Sequence, residues 1–185
     1  RTGDKASGIK GLSLFACETR QDTDTQGFTV TRIEDKMGLH ASPTCQIAFD
    51  AVPAELIGTE GNGLKAMFTM MNHARIDVSL QGVAHASRAH DIAKTYAQDR
   101  IQGRGKDGTP TAIIHHAPVK QMLDRQRALA LGSRLLSHDA MVAIETGNRA
   151  LADLLTPVCK VFCTDAGLDA ANLGIQVLGG YGYLT

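Results

Sequence analysis

The residues best suited to bind an anionic ligand are arginines near predicted helix ends and a glycine-rich turn. Asn72 and Arg75 are three positions apart, so on a helix their side chains share one face. Arg100 follows a long helix-compatible stretch, and its guanidinium offers paired donors to phosphate oxygens. In the turn 179–182 glycines let the backbone approach a ligand closely, because no Cβ intervenes. Both patterns also have ordinary structural explanations, since arginine favours a helix C-terminus and glycine commonly ends a helix.

The cysteine and histidine patterns do not predict a metal site. Cys159 and Cys163 are four apart on a predicted helix, yet no histidine or further cysteine completes a set of zinc ligands. Two buried thiols are therefore the expected outcome. His85 and His90 are five apart, which is a poor spacing for shared ligation on a helix. No metal is predicted.

Composition limits the classes of function. The 185 residues are 43% hydrophobic, which is enough to build a core. Nineteen Lys and Arg balance nineteen Asp and Glu, so no diffuse positive field favours nucleic acid or an anionic membrane surface. The apolar runs are far shorter than a membrane span, and four cysteines without regular spacing indicate reduced thiols inside a cell. An anionic ligand must then be met by a few placed cations.

The elements that would position these residues fall into a β part and an α part. Short apolar alternations predict antiparallel strands at residues 11–17, 28–33 and 45–49. Pro53 and the glycines at 58, 61 and 63 then interrupt the pattern, and the apolar period becomes helical. We predict a domain boundary there, with residues 1–57 as an antiparallel β domain and residues 58–185 as a helical domain; the resemblance described below implies that residues 1–57 are only the C-terminal part of a barrel-like β domain.

Helical spacing continues through most of the second part. The predicted helices cover residues 64–100, 118–146 and a stretch that starts at 148 or 156 and ends at 173. Glycines and a proline predict a loop at 102–110. Long helices joined by short loops pack as an antiparallel bundle. The expected fold class is α+β but mostly α: a four-helix-bundle-type domain, truncated at its end, preceded by part of an antiparallel β domain.

Four short strings resemble the acyl-CoA dehydrogenase family, in the family's order and separations. They are Lys36-Met37-Gly38-Leu39-His40-Ala41-Ser42-Pro43-Thr44, Asn72-His73-Ala74-Arg75, Tyr96-Ala97-Gln98-Asp99-Arg100 and Gln176-Val177-Leu178-Gly179-Gly180-Tyr181-Gly182-Tyr183. The resemblance covers essentially the whole chain. It is closest to the branch of long-chain-type bacterial and 3-methylthiopropionyl-CoA dehydrogenases, because of the run Met70-Met71-Asn72-x-Ala74-Arg75.

The resemblance implies FAD as the cofactor. It places Arg100, His116, Gln176, Gly179 and Gly180 against the ADP half of FAD. In the family that flavin belongs to a neighbouring subunit, so a homodimer or homotetramer is implied as well. The chain departs from the family pattern at two points: the usual Phe-Gly after the arginine is replaced by Ile-Gln, and a histidine stands where a glutamine is common.

The resemblance also places Asn72 and Arg75 at the acyl-CoA site. The family's reaction needs a base, usually a carboxylate, that takes the α proton while the flavin accepts the β hydride. In most members the glutamate lies in a Glu-Gly-Thr string after the glycine-rich turn, and in a minority it precedes the helix arginine, where this chain has Ala74. The base is therefore expected after Thr185, and this chain, as a piece of a longer enzyme, is expected to contain no catalytic residue and to be inactive alone.

The resemblance thus implies an FAD-dependent acyl-CoA dehydrogenase of fatty acid metabolism. It would pass electrons to an electron-transfer flavoprotein in the bacterial cytoplasm or, as a second choice, in the mitochondrial matrix. Two alternatives stay open. One is an acyl-CoA oxidase of the same fold, and the other is a non-catalytic helical assembly or binding module, which absence of flavin in the intact protein would favour.

Overall fold

The computed structural model describes residues 1–17 and 27–184 of the chain. The chain divides into two compact units, Arg1–Thr69 and Met70–Thr185. The fold class expected from the sequence is confirmed, because short antiparallel strand pairs precede long packed helices. The domain boundary between residues 57 and 58 stays a prediction.

The first unit contains two antiparallel strand pairs. After a 3-10 segment at Lys5–Gly11, strand β1 (Leu14–Ala16) pairs with β4 (Glu55–Ile57). Strand β2 (Phe28–Ile33) pairs with β3 (Cys45–Phe49), and the rings of the opposed Phe28 and Phe49 meet edge to face with centroids 5.6 Å apart. The sequence missed β4 because Pro53 and the neighbouring glycines hide a strand of three residues. The strand predicted at 11–17 is also longer than the observed β1, because Gly11 belongs to the 3-10 segment.

The string from Lys36 to Thr44 forms a connection between β2 and β3 that is tied by one ammonium group. Nζ of Lys36 donates hydrogen bonds to the carbonyl oxygens of Leu39, at 2.9 Å, and of Ser42. Leu39 has a φ of 53°, which is uncommon for a residue with a side chain. The Ser42 N–H donates to the Leu39 carbonyl at 3.0 Å. Lys36 therefore holds the backbone of the first family-like string in one shape.

The described part of the chain has three long helices: α1 (Gly63–Asp99), α2 (Ala117–Glu145) and α3 (Arg149–Leu178). Helix α2 has Pro118 near its first turn, where the missing N–H costs no hydrogen bond. The Asn148 side chain caps α3 by accepting the Leu151 N–H at 3.3 Å. Helix α3 runs five residues further than predicted and continues through Pro157, so the earlier of its two predicted starts is the right one.

The prediction of a loop at 102–110 is wrong at both ends of that range, because these residues belong to the strands of a β-hairpin. Strand β5 (Ile101–Arg104) pairs antiparallel with β6 (Pro110–Ala112). The turn is closed by the Gly105 N–H on the Thr109 carbonyl at 2.8 Å, and the Asp107 carboxylate accepts from both the N–H and the hydroxyl of Thr109. Pro110 is tolerated because an edge strand does not need every donor.

Small side chains fill the contacts among the three helices. The buried small residues include Ser79, Ala86, Ala93, Ala97, Ala130, Ser133, Ser137, Ala140, Ala143, Cys159, Cys163, Ala166 and Ala170. Helices can approach closely only where side chains are small, and α1 and α3 do so here. A Cβ built on Gly82 would overlap the backbone of Cys163, and one on Gly167 would lie 3.0 Å from the carbonyl oxygen of Gly82. The two backbones are therefore in van der Waals contact.

Several polar groups within this core form hydrogen bonds across helices. The buried Gln126 of α2 donates from Nε2 to the Ala170 carbonyl of α3 at 2.7 Å. The thiol of Cys159 donates to the Leu136 carbonyl at 3.3 Å, and Cys163 lies 3.3 Å from the Ser137 hydroxyl. Burial raises the pKa of Cys159 to about 11, so its sulfur keeps the proton that it donates. Both cysteines are buried free thiols, as the sequence predicted.

The glycine contact between α1 and α3 can be tested by adding one methyl group. Gly82→Ala should lower the free energy of unfolding by about 2 kcal/mol, because the new Cβ meets the backbone of α3 and the helices must separate. Urea denaturation followed by far-UV circular dichroism measures the change.

Gly132→Ala in α2 is the matched control. A Cβ at Gly132 has no atom within 4 Å, so alanine should stabilise the helix by up to about 1 kcal/mol. Equal effects of the two substitutions would show that the α1–α3 contact is not close.

Candidate functional site

A cavity of about 450 Å³ lies where α1 and α3 end. Helix α1 and the hairpin contribute Tyr96, Arg100 and Gln102, the following turn contributes Ile113, and the end of α3 supplies Val177, Leu178, Gly179, Gly180, Tyr181 and Leu184. The third and fourth family-like strings are 75 or more positions apart along the chain, yet they form one wall. The structure thus brings Arg100, Gly179 and Gly180 together.

The backbone of Arg100 is fixed on both sides. Its N–H donates to the Tyr96 carbonyl at 2.9 Å, and its own carbonyl accepts the Ile113 N–H at 2.9 Å. The side chain is exposed, and across residues 1–17 and 27–184 its guanidinium has no hydrogen bond or ion pair. Its donors are directed to no protein acceptor in the described chain, so they are available to an anion in the cavity.

The three glycines of the turn have different reasons to be glycine. Gly179 ends α3 with a φ of 59°, which favours a residue without Cβ. Gly182 is required by packing, because a Cβ there would lie 2.6 Å from the Ile175 carbonyl oxygen. Gly180 has neither a positive φ nor any atom within 4 Å of a built Cβ. Neither φ nor packing therefore requires glycine at 180, and the backbone there is open to the cavity.

Two aromatic rings lie in the cavity wall. The ring of Tyr181 is tilted by 57° against that of Tyr96, with centroids 6.2 Å apart, and Tyr181 is 62% exposed. The family's phenylalanine after the arginine is missing, but these rings come from elsewhere in the sequence. Sequence analysis missed this contact because it depends on the packing of α3 against α1.

The other two predicted cofactor residues lie beside the cavity and do not line it. Gln176 is exposed on the last turn of α3, and its carbonyl accepts the Gly179 N–H. Nε2 of His116 lies 2.7 Å from the Gln102 carbonyl oxygen. Since a carbonyl only accepts, Nε2 carries the proton. His116 therefore ties the start of α2 to the hairpin strand that forms part of the cavity.

Asn72 and Arg75 form a pair about a third of the way along α1. Nη1 of Arg75 donates to Oδ1 of Asn72 at 3.0 Å in a partly buried setting. Arg75 precedes Asp99, the last residue of the helix, by a stretch of about 36 Å at 1.5 Å per residue. The two predicted groups of binding residues are therefore far apart along one helix.

Two further observations concern the described residues alone. They include no group of three or more histidine, cysteine, aspartate or glutamate side chains that could hold a metal ion. No helix among them combines the length and the apolar character that crossing a membrane requires. Nη1 of Arg104 donates to the Gly108 carbonyl at 2.6 Å in the hairpin turn.

Comparison with known proteins gives a consistent family. Residues 61–185 match the family model described as the acyl-CoA dehydrogenase C-terminal domain. A 3-methylmercaptopropionyl-CoA dehydrogenase from Ruegeria pomeroyi is 38% identical over all of this chain, which covers 34% of that protein. A cyclohex-1-ene-1-carbonyl-CoA dehydrogenase from Geobacter metallireducens is 34% identical over 98% of this chain and 46% of its own length.

Solved structures agree. Butyryl-CoA dehydrogenase from Megasphaera elsdenii superimposes with a TM-score of 0.84 at 26% identity, over 97% of this chain and 45% of that one. The chain thus spans between a third and half of the length of these relatives.

The bond from His116 predicts a local effect on the hairpin. His116→Ala should speed amide hydrogen exchange in β5 and β6, because the Gln102 carbonyl loses its side-chain donor. Exchange in the middle of α2 should stay the same. His115→Ala is the control, since His115 makes no such bond; equal exchange in both variants would contradict this role for His116.

Proposed function

The chain belongs to the acyl-CoA dehydrogenase family, and on that premise we propose that the whole protein is an FAD-dependent enzyme that desaturates an acyl-CoA thioester between its α and β carbons. The observation that carries the proposal is the cavity at the ends of α1 and α3. It joins the unpaired guanidinium of Arg100 to the open backbone at Gly180, which is the donor set that a pyrophosphate requires.

The residues at this cavity fit the ADP half of FAD. Arg100 supplies charge-assisted donors to phosphate oxygens, and Gly179 and Gly180 let backbone approach them. The rings of Tyr96 and Tyr181 give an apolar surface of the kind on which an adenine rests. Gln176 and His116 lie beside the cavity. His116 contributes indirectly, because it holds the cavity residue Gln102 in place. Bound flavin supplies the hydride acceptor for the reaction.

About 36 Å along α1 from its C-terminal end, Arg75 and Asn72 are proposed to bind acyl-CoA. The Asn72 carboxamide holds the guanidinium in a fixed direction, which lowers the entropy lost when a ligand oxygen is bound. Ala74, at the family's alternative position for a base, cannot accept a proton. We therefore propose that the base that takes the α proton lies in the sequence that follows Thr185.

The length of α1 supports the proposal of a homo-oligomer. The cavity and the Asn72–Arg75 pair are separated by about 36 Å of rigid helix, so we propose that they serve the flavins of different subunits of a dimer or tetramer. Exposed apolar side chains on α2 and α3 support burial in an assembly: Leu131, Leu135, Val142, Leu154, Val161 and Leu168.

We propose an electron-transfer flavoprotein as the acceptor of the electrons and a bacterial cytoplasm as the location. Bacterial dehydrogenases among the relatives support both choices. The wider role is then fatty acid or related acyl-CoA oxidation.

The proposal is tested on the full-length protein. Purified protein should show flavin absorbance, and anaerobic addition of an acyl-CoA from a series of short, medium and long chains should bleach it. Slow return of colour in air is expected for a dehydrogenase, whereas rapid return with hydrogen peroxide would indicate an oxidase. Protein that binds no flavin, or that no acyl-CoA bleaches, would overturn the proposal and favour an assembly module.

Arg100 gives a sharper test of the cavity. Arg100→Gln should raise the Kd for FAD about tenfold or more, because one or two charge-assisted hydrogen bonds to phosphate are worth roughly 1.5–3 kcal/mol each. Fluorescence titration of the apoprotein measures this change. Arg149→Gln removes the same charge at the start of α3, far from the cavity, and should leave the Kd within about twofold. An unchanged Kd for Arg100→Gln would exclude Arg100 from the flavin site.

A further inference from the structure

A second cavity lies between α1 and α2 and shares no lining residue with the first. It has a volume of about 650 Å³ and is lined by His90, Lys94, Ile114, His115, Lys120, Leu123, Asp124 and Arg127. We call this cavity the α1–α2 cleft. The 3-10 turn Ile113–His115 separates the two cavities, because Ile113 lines the first while Ile114 and His115 line the cleft.

The basic residues of the cleft come from separate elements and converge on one space. Lys94 extends from α1, while Lys120 and Arg127 lie seven positions apart on one face of α2. In the described ranges none of these three cations has an ion pair or a side-chain hydrogen bond. Asp124 is the one carboxylate in the lining. Asp91, also on α1, lines a separate groove that includes Leu178 of α3. The cleft thus has an excess of positive charge in a chain with a net charge of zero.

His90 adds a neutral polar group to the wall. Burial lowers the pKa of His90, with Lys94 and Arg127 acting in the same direction and Asp91 opposing them. Its Nδ1 is buried and has no hydrogen-bond partner among the described residues. Such an atom is costly to leave unpaired. The positive charge at neutral pH therefore comes from the lysines and the arginine.

We propose that the α1–α2 cleft binds a phosphorylated small molecule. Three cations at its rim match a phosphate or diphosphate, and Ile114 and Leu123 form an apolar floor for the organic part of the ligand. The volume accommodates a ligand of nucleotide size. This site is distinct from the cavity proposed for FAD, since the two have no residue in common.

Inorganic pyrophosphate is the probe, used with full-length protein saturated with FAD so that the flavin cavity is filled. Isothermal titration calorimetry at low ionic strength should show binding that weakens as salt is added. The double variant Lys94→Ala/Lys120→Ala should raise the Kd about tenfold, since two of the three cations that face the phosphate are lost. The matched control Lys65→Ala/Lys160→Ala removes the same charge elsewhere and should change the Kd by less than about twofold.

Competition by coenzyme A separates two sources of phosphate. Displacement of pyrophosphate by coenzyme A would identify the nucleotide end of the substrate as the ligand, and its failure would point to a free phosphorylated metabolite; both outcomes support a phosphate site. Absence of binding to the FAD-loaded protein, or equal loss in the two double variants, would overturn the proposal. Arg100→Gln protein that keeps its affinity for pyrophosphate while losing affinity for FAD would show that the two ligands bind at independent sites.

Discussion

Direct backbone contact between α1 and α3 is the constraint on which the helical unit depends. No side chain separates Gly82 from the carbonyl of Cys163, and Gly167, one turn further along α3, also lies against Gly82. Around this contact the core is built from alanine, serine and cysteine, so little room exists for the helices to slide or rotate. Hydrogen bonds such as that from Gln126 to Ala170 then fix α2 against α3. A core of this type gains specificity from shape more than from the area of large apolar side chains.

The cavity proposed for FAD inherits its geometry from this contact. With α1 and α3 locked near their middles, the ends of both helices arrive at fixed positions, and Tyr96 meets Tyr181. The hairpin that follows α1 is held by backbone hydrogen bonds of Arg100 and by the His116 side chain. Most residues of the cavity wall therefore belong to a helix end, a hairpin or a 3-10 turn that is anchored to the core, which keeps the site preformed.

Local patterns predicted most of the fold but only part of the site. Apolar periodicity is strong in long helices and in strands β2 and β3, so these elements were predicted close to their observed bounds. The hairpin at β5–β6 and the short β4 were missed because glycine and proline dominate their propensities while cross-strand bonds decide their structure. Arg100 and the glycine turn were proposed from the resemblance, and their proximity is observed. The tyrosine contact and the α1–α2 cleft depend on tertiary packing, which no local pattern contains.

Helix α1 has a consequence for the genetics of the assembled protein. The helix separates Arg75 from Arg100, the residue that follows its last turn, by about 36 Å, and in the proposed assembly the two arginines serve different subunits. A subunit impaired at Arg75 and a subunit impaired at Arg100 would then form a mixed dimer in which one site collects both defects and the second collects none. Two alleles that are each inactive as homo-oligomers would complement each other, restoring up to half of the sites.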